Sequence, residues 1–396
     1  MDEVVLVHHG EIVLKGRKRG YFERHLMRNI EYVLGKGCRV SSDENRVVIT
    51  APNLDWASIS TKLQYVAGVS NFTHALRCDP SLSSILEGTL RILDGCSFKT
   101  FAVEARRSYK LHPFNSMEIK KALSLELESR YAAKVNYGNP NIRIYVEVTR
   151  ENAYVYREKM RGLGGLPVGS SGRVLILLSG GVDSAVASIM LIRRGCRMDY
   201  IHFHSYRSGS EALETKMGRL LDHLTKYGLR SLLFMVNFTP FYVRILNNPT
   251  RLEIPLFRRY MFEVADRVAE IYGCHAIATG DSLAQVASQT LPNMAAVEHN
   301  LKRPILRPLI SHDKDGILRM AEKWGLLSLA RMEYKDCCSI IGRHPVTSTR
   351  VEDLERLWHR LGMDAAVEES LAELETYAVS IRSGIRRLEL QPVKTR

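Results

Sequence analysis

The chain has 396 residues, of which 45% are hydrophobic and 25% are charged, and this length is sufficient for two or three domains with their own cores. Its formal net charge of +13 indicates a polyanionic partner, because clustered lysines and arginines gain affinity when counterions leave phosphates. Seven scattered cysteines without a C-x-x-C pair argue against a disulfide framework or a zinc knuckle, and we expect reduced thiols.

The N-terminal segment has no features of a signal peptide. It begins with acidic residues and its apolar run ends at His8, so it has neither a basic n-region nor a continuous h-region. No apolar stretch of the sequence approaches the ~20 residues that span a bilayer. The sequence therefore predicts a soluble, cytoplasmic protein without a membrane partner.

The N-terminal half alternates short strands with amphipathic helices. The periodicity predicts the strands Val4–Val7, Arg46–Thr50, Phe101–Ala105, Ile142–Val148 and Ala153–Arg157, and the helices Tyr21–Leu34 and Ser116–Ala132. Basic residues are concentrated here, with six Lys and Arg against two Glu between Lys99 and Lys121. We expect a mixed α+β half, in two small units, that carries the surface for the polyanionic partner.

A glycine-rich segment, residues 161–173, separates this half from a regular β-α alternation, and we place the domain boundary within it. Downstream, the pattern predicts the strands Arg173–Leu178, Asp199–His204, Ser231–Val236 and His275–Thr279, and the helices Ser184–Arg194, Glu211–Tyr227, Leu256–Tyr272 and Asp315–Trp324. Such alternation predicts an α/β domain with a doubly wound parallel sheet. Four glycines, at positions 195, 228, 273 and 325, follow predicted helices where a left-handed residue is favoured. The tail after Val346 is predicted to be helical.

The sequence Ser179-Gly180-Gly181-Val182-Asp183-Ser184 directly follows an apolar strand and precedes a helix. Small residues allow a tight turn whose N–H groups, together with the helix N-terminus, form a cradle for an anion. A plain strand-to-helix turn would explain the first three residues alone, but the added Asp and Ser favour a phosphate site. No G-x-x-x-x-G-K-[ST] sequence is present, which excludes a Walker-type NTPase. The motif resembles the PP-loop of ATP pyrophosphatases, which release pyrophosphate and adenylylate a substrate oxygen.

Cys337 and Cys338 are the second chemical feature of the sequence. A thiol can carry a terminal persulfide sulfur, and a thiolate is strongly nucleophilic near neutral pH. An isolated pair of cysteines is more often structural and buried. The neighbouring motifs reverse that preference, because a nucleophile must displace the activated oxygen that a PP-loop enzyme produces.

The chain resembles the tRNA 4-thiouridine synthetases, or ThiI-type sulfurtransferases, nearly end to end. The matching stretches are His8–Ile30, a THUMP-like region from about Lys62 to Arg161, the PP-loop, residues 202–205, residues 278–290, residues 307–309 with Asp313-Lys314, and the Cys-Cys segment. The resemblance implies an N-terminal ferredoxin-like domain (residues 1–58), a THUMP RNA-binding domain (59–162), a linker (163–172), a PP-loop ATP pyrophosphatase domain (173–345) and a helical C-terminal tail (346–396).

The resemblance also implies the site residues. Nucleotide contacts would fall on Leu177, Leu178, Ser179, Gly180, Gly181, Asp183, Ser184, His202, Phe203, Arg258, Gly280 and Gln289. Asp183 would organise the phosphates of ATP with Mg²⁺, Lys314 would neutralise charge on the α-phosphate, and Cys338, beside Cys337, would carry the sulfur. The contacts to tRNA would come from Arg106, Arg107, Lys110 and His112. No metal ligands within the protein are expected.

The implied reaction begins with attack of O4 of uridine 8 in tRNA on the α-phosphate of ATP, after which sulfur held on Cys338 displaces AMP. The sulfur donor would be a cysteine desulfurase persulfide or sulfide. The chain resembles the form without a rhodanese domain, since no cysteine follows Cys338. Residues 247–259 lack the C-x-x-C pair of iron–sulfur relatives, so a cluster is not expected, although Cys274 with the Cys-Cys pair leaves one open. A role in thiamine thiazole synthesis and a homodimer also stay open.

Two alternatives compete with this interpretation. A PP-loop enzyme that modifies a different tRNA base or a small molecule would not require Cys338. A tRNA-binding module with an inactive catalytic domain would bind tRNA without releasing pyrophosphate. The presence of both Asp183 and Lys314 argues against the second alternative.

Overall fold

The computed structural model describes residues 1–334, 341 and 346–389. The chain forms two compact units, Met1–Pro167 and Val168–Arg396. Among the helices of residues 1–334, 341 and 346–389, none combines the length and the apolar composition that a membrane span requires.

The first unit is built on one mixed sheet. Its strands are β1 (Asp2–His8), β2 (Arg39–Asp43), β3 (Arg46–Thr50), β4 (Asn71–Cys78), β5 (Thr100–Arg107), β6 (Lys134–Val135), β7 (Ile142–Val148), β8 (Ala153–Tyr156) and β9 (Met160–Arg161). Its helices are α1 (Arg19–Leu34), α2 (Trp56–Leu63), α3 (Leu82–Ile92) and α4 (Ser116–Tyr131), and a 3₁₀ helix spans Glu11–Lys18. The strand order is β2-β3-β1-β4-β8-β7-β5-β6, with β9 paired to β4. Because β1 pairs with β4 along its whole length, the segments predicted to be ferredoxin-like and THUMP share this sheet.

Local sequence explains the clearest of these elements. The α4 helix begins with a capping box, in which the Asn115 side chain accepts a hydrogen bond from the backbone N–H of Glu118, and the Glu118 carboxylate accepts one from the backbone N–H of Asn115. It buries Ile119, Leu123 and Leu127 at four-residue spacing. The predicted limits of β3 and β7 are confirmed. The periodicity did not predict β2, α2, β4 or α3.

The second unit is an α/β domain. Its strands are β10 (Arg173–Leu177), β11 (Arg197–His204), β12 (Arg230–Asn237), β13 (Ala276–Ala278), β14 (Ile305–Leu306), β15 (Glu375–Ser380) and β16 (Gly384–Leu388). Its labelled helices are α5 (Val182–Arg193), α6 (Gly209–Ala212), α7 (Gly218–Gly228), α8 (Thr239–Leu246), α9 (Glu253–Tyr272), α10 (Leu291–Val297), α11 (Lys314–Lys323) and α12 (Leu327–Ala330), and two more helices span Val351–Arg360 and Met363–Ala372. Among the residues described here, the strand order is β14-β13-β10-β11-β12-β15-β16.

The register of the parallel strands fixes where a ligand can bind. Leu177 at the end of β10 is opposite Ile201 in β11, and Ile176 is opposite Ala278 at the end of β13. The carboxyl ends of β10, β11 and β13 therefore meet at one edge of the sheet, which is where open α/β sheets bind ligands. The largest side chains of α9, including Phe257 and Tyr260, are buried in the core and keep this helix against the sheet.

Three predictions for this unit are wrong. The tail is not only helical, because β15 and β16 follow its helices and β15 extends the sheet antiparallel to β12. Tyr377 and Val379, two residues apart on β15, are both buried, which is typical of one face of a strand. The helix predicted at Glu211–Tyr227 is interrupted by a π-helical turn, Leu213–Met217, with non-helical backbone at Thr215. The left-handed residue after α7 is Leu229, with φ of 68°, rather than Gly228.

Candidate active site

The loop between β10 and α5 is closed by its own serines. The Ser184 hydroxyl lies 3.2 Å from the Ser179 amide nitrogen and 3.1 Å from the Ser179 hydroxyl, and the Gly181 amide donates to Ser179 Oγ at 3.2 Å. The α5 helix begins directly after Gly181, which has no side chain to cap it. Because the first N–H groups of a helix have no partners within the helix and carry partial positive charge, this terminus is suited to a phosphate.

Two glycines allow other segments to approach this loop closely. A Cβ atom on Gly280 would lie 2.5 Å from the amide nitrogen of Ser184 and 2.6 Å from the carbonyl carbon of Asp183. A Cβ atom on Gly180 would overlap the ring of Tyr334. The chain after β13 and the residue Tyr334 are therefore both seated directly on the PP-loop.

Asp183, in the first turn of α5, pairs with Lys314, the first residue of α11. The Lys314 amino group lies 2.8 and 3.1 Å from the two carboxylate oxygens of Asp183, and the Gln285 amide donates to the same carboxylate at 2.9 Å. About half of the Lys314 side chain and a fifth of the Asp183 side chain are exposed. The two residues predicted to act on the phosphates are 131 positions apart in sequence, and they are in contact at the first turn of α5.

His202, near the end of β11, is buried and neutral. Its Nδ1 donates to the Leu178 carbonyl at 2.7 Å, so its Nε2 accepts from the Tyr334 hydroxyl at 2.6 Å. Burial lowers the pKa of His202 to about 4. The imidazole therefore links Leu178, directly after β10, to Tyr334 without carrying charge at neutral pH.

A cavity of about 350 Å³ opens at this edge of the sheet. The predicted nucleotide residues that line it are Leu177, Leu178, Ser179, Gly181, Asp183, Ser184, His202, Phe203, Arg258, Gly280 and Gln289. Gly180 lies in the same loop, beneath Tyr334, but does not line the cavity. Phe203 of β11 and Met261 of α9 give the lining an apolar part, and the PP-loop gives it a polar part.

Comparison with known proteins assigns both units to one family. Three family models match in order: the ThiI ferredoxin-like domain at residues 4–73, the THUMP domain at residues 81–158, and Thiamine biosynthesis protein (ThiI) at residues 169–363. A probable tRNA sulfurtransferase of Brevibacillus brevis is 35% identical over 387 residues, which cover 96% of this chain and 97% of the relative. The chain belongs to the ThiI-type tRNA sulfurtransferase family. The resemblance found in the sequence is confirmed, as is the fold class.

Other relatives agree with this assignment. A probable tRNA sulfurtransferase of Thermoanaerobacter sp. is 35% identical and covers 89% of this chain and 93% of its own. A crystal structure of a 4-thiouridine synthetase–RNA complex with bound ATP is 30% identical, with a TM-score of 0.85, and the match covers 96% of this chain and all of that chain. As a member of the tRNA sulfurtransferase family, the chain is an enzyme.

Several residues that line the cavity of this sulfurtransferase were not predicted. They are Ile201, Met261, Phe262, Thr279, Asp281, Gln285, Val286 and Ser288. Sequence signals existed for some of them. Met261 and Phe262 follow Arg258 by three and four residues on α9, so they share its helix face, and Asp281 and Gln285 lie in the matched stretch 278–290.

The residues predicted to contact tRNA in the first unit divide into two groups. Arg106 and Lys110 are exposed. Arg107 instead donates to the carbonyls of His112 and Phe114 at 3.1 and 2.5 Å, and His112 donates to the Thr149 carbonyl at 2.7 Å while its ring stacks on Phe114. Arg107 and His112 therefore hold the loop after β5, and Arg106 and Lys110 are the ones available to a phosphate.

The predicted sulfur-carrying residues Cys337 and Cys338 lie outside the described residues. Cys274, the third thiol considered for a cluster, precedes β13 at the amino ends of the strands, whereas the cavity lies at their carboxyl ends. Burial raises the pKa of the Cys274 thiol to about 12, so this thiol is neither near the cavity nor ionised at neutral pH. No group of three His, Cys, Asp or Glu side chains that could hold a metal occurs in residues 1–334, 341 and 346–389.

Proposed function

We propose that the chain uses ATP to transfer sulfur to uridine 8 of tRNA, giving 4-thiouridine, through an adenylated uridine and a sulfur held on Cys338. The observation that carries the proposal is the cavity lined by the PP-loop, together with the contact between Lys314 and Asp183 of that loop. The likeness to a synthetase with bound ATP and RNA over 96% of this chain supports the same ligands here.

The cavity fits ATP in size and chemistry. Its volume of about 350 Å³ is within the range of roughly 300–1,000 Å³ for ligand pockets. Phe203, Met261 and Phe262 offer apolar surface for a base, while the start of α5 offers N–H groups to the phosphates. Asp183 would hold Mg²⁺ together with phosphate oxygens, since these are the ligands that Mg²⁺ prefers, and the ion would offset the charge of the triphosphate.

The first step would activate the uridine oxygen. O4 attacks the α-phosphorus of ATP, the bond from that phosphorus to the bridging oxygen breaks, pyrophosphate leaves, and the N3 proton of the uridine is lost. Lys314 would exchange its contact with Asp183 for the phosphate, because its amino group already contacts this residue of the PP-loop and a cation there stabilises the charge that develops.

The second step would replace oxygen by sulfur. The terminal sulfur of a Cys338 persulfide, supplied by a cysteine desulfurase, attacks C4 of the uridine; the C–S bond forms and AMP leaves with O4. A second thiol, from Cys337 or an external small thiol, then attacks the Cys338 sulfur. The S–S bond breaks, 4-thiouridine is released, and an external thiol later reduces the new disulfide.

Tyr334 supports delivery of the sulfur to this cavity. Its ring covers Gly180 and its hydroxyl donates to His202, and it stands four residues before Cys338 in the sequence. Four residues of extended chain span at most about 14 Å. This short separation in sequence supports Cys338 as the residue that delivers sulfur to the PP-loop.

The first unit would bind the tRNA through exposed cations such as Arg106 and Lys110, which gain affinity by counterion release. The matching family model also names thiamine biosynthesis. A persulfide on Cys338 would supply that pathway with the same form of sulfur, without requiring tRNA.

Measurement of both reaction products, pyrophosphate and 4-thiouridine, tests the proposal. The full chain is incubated with a tRNA transcript, ATP, Mg²⁺ and a persulfide-generating cysteine desulfurase or sulfide, and pyrophosphate and 4-thiouridine are both measured. We expect Cys338→Ser to release pyrophosphate without forming 4-thiouridine, Cys337→Ser to retain some thiolation, and Cys38→Ser, in the other unit, to behave as wild type. Full thiolation by Cys338→Ser with free sulfide would mean that sulfide attacks the adenylated base directly. Absence of tRNA-dependent pyrophosphate from the wild type would contradict the assignment of the PP-loop.

A further inference from the structure

Asp281 is the centre of a buried ionic cluster at the wall of the cavity. Its carboxylate accepts hydrogen bonds from Arg258 at 2.6 Å, from the Thr279 hydroxyl at 2.9 Å, from the Gln289 amide at 3.2 Å and from Arg307 at 3.3 Å. Only 5% of Asp281 is exposed. Burial alone would raise the pKa of this carboxyl, but Arg258, Thr279 and Arg307 hold the pKa below its usual value. Asp281 is therefore an anion at neutral pH.

The four donors come from different segments of the second unit. Arg258 belongs to α9, Thr279 follows β13, Gln289 lies just before α10, and Arg307 follows β14. Arg258, Thr279, Gln289 and Asp281 itself line the cavity, and Arg307 does not. Asp281 thus connects two predicted nucleotide residues, Arg258 and Gln289, to a cation outside the cavity.

A second carboxylate completes the cluster. Glu298, directly after α10, pairs with both terminal nitrogens of Arg307. The charges therefore alternate from the cavity outward as Arg258, Asp281, Arg307 and Glu298. Buried charges are tolerated when each has a well-placed partner, and this alternation supplies one to every member.

We propose that Asp281 is a positioning residue for the nucleotide: it fixes the guanidinium of Arg258 and the amide of Gln289 in the orientation that binds ATP, and Arg307 with Glu298 braces it. The inference rests on the proposed function, since it assumes that ATP occupies this cavity. A side chain held in its binding orientation before the ligand arrives avoids the entropy cost of being ordered on binding. Asp281 itself lines the cavity, but the role proposed here is exerted through its contacts with Arg258 and Gln289.

Substitution of Asp281 by asparagine distinguishes a role in orienting Arg258 and Gln289 from an electrostatic effect of the carboxylate on ATP. If Asp281 were only a negative charge beside a polyanionic ligand, Asp281→Asn would tighten ATP binding, most strongly at low salt. If it positions Arg258 and Gln289, the same change weakens binding. We expect the Kd for ATP to rise about tenfold, which corresponds to about 1.4 kcal/mol, with KM rising by a similar factor and kcat for pyrophosphate release changing by less than about twofold.

Arg307→Lys provides an independent variant, because Arg307 does not line the cavity and can affect ATP only through the cluster. We expect weaker ATP binding than in the wild type, by a smaller factor than in Asp281→Asn. In an Arg258→Met background, Asp281→Asn should weaken ATP binding less than it does in the wild type, since residues that act together are not additive.

Asp266→Asn is the matched control. Asp266 is a carboxylate of the same unit with a side chain 8% exposed, against 7% for Asp281, and it pairs with Arg303 at 2.8 Å, away from the cavity lining. The measurement is calorimetric titration of the folded, full-length variants with ATP and Mg²⁺ at two salt concentrations, with circular dichroism to monitor folding.

The inference is supported if Asp281→Asn and Arg307→Lys bind ATP more weakly while Asp266→Asn binds it normally. Unchanged or tighter binding by Asp281→Asn overturns it, and so does equal weakening by Asp266→Asn, which would indicate a loss of stability alone. If Asp281→Asn does not fold, normal binding by Arg307→Lys overturns the inference. Failure of the wild type to bind ATP would instead overturn the proposed function.

Discussion

Replacing Gly280 by alanine should disable the nucleotide site while leaving the fold in place. A Cβ atom there would lie 2.5 Å from the Ser184 amide nitrogen, and ordinary contact begins at 3.4 Å, so the two backbones must separate by about 0.9 Å. Overpacking of this kind costs about 1–3 kcal/mol of stability, and a displacement near 1 Å in a catalytic site costs on the order of a hundredfold in rate. We therefore expect tRNA-dependent pyrophosphate release to fall by about two orders of magnitude, measured with a coupled pyrophosphate assay, together with weaker ATP binding by calorimetry.

Gly228→Ala is the control for this substitution. Gly228 is the last residue of α7, its φ is not positive, and a Cβ atom would come no closer than 3.5 Å to Ile192. This variant should keep wild-type ATP affinity and gain up to about 1 kcal/mol of stability, because alanine is the better helix former. Normal pyrophosphate release by Gly280→Ala would refute the conclusion that the close approach of Gly280 to the PP-loop shapes the phosphate site.

Three further predictions concern the charged and titratable groups. Asp183→Ala should lower pyrophosphate release by about a hundredfold or more while tRNA affinity in a filter-binding assay stays unchanged, because the predicted tRNA contacts lie in the other unit; unchanged release would remove Asp183 from the site. Arg106→Ala should reduce the slope of log affinity for tRNA against log salt concentration by about one without changing Tm. Arg107→Ala should instead lower Tm, because two backbone carbonyls lose their hydrogen-bond donor. An unchanged slope for Arg106→Ala would place Arg106 outside the tRNA interface. Burial lowers the pKa of His202 in the folded protein from 6.5 to about 4, so the stabilising contribution of neutral His202 is present above pH 6.5 and is lost as the pH falls. The free energy of unfolding should therefore drop by about 2 kcal/mol between pH 7 and pH 5, and it should drop less in His202→Gln. Equal drops in both proteins would contradict a neutral, buried His202.

The sequence predicts the site best where one short segment contains its residues. The PP-loop lies between an apolar strand and a helix, and its composition alone indicates a phosphate site. Asp183 and Lys314 are 131 residues apart, so only the resemblance to a family linked them. The contact between His202 and Tyr334 spans 132 residues and was not predicted. Local sequence does not indicate which distant side chain packs against Gly180, where the absence of a Cβ atom leaves room for the ring of Tyr334.

The fold, too, is predicted best where local sequence alone determines the element. Strands buried on both faces, such as β11, produce apolar runs that periodicity detects. The β2 strand reads Arg-Val-Ser-Ser-Asp and is never buried, so its pattern is too polar to predict a strand. The interruption of the helix at Thr215 accompanies a buried Lys216 whose amino group donates to the Met332 carbonyl, a tertiary contact that overrides local helix propensity.

The path of one oxygen atom tests the central claim most directly. A tRNA carrying ¹⁸O at O4 of uridine 8 is incubated with the enzyme, ATP, Mg²⁺ and a sulfur source, and the AMP and the nucleosides are analysed by mass spectrometry. Adenylation of the base followed by sulfur attack at C4 predicts one ¹⁸O atom in AMP for each 4-thiouridine formed. Unlabelled AMP accompanied by 4-thiouridine would contradict the adenylated uridine and the role proposed for the PP-loop cavity.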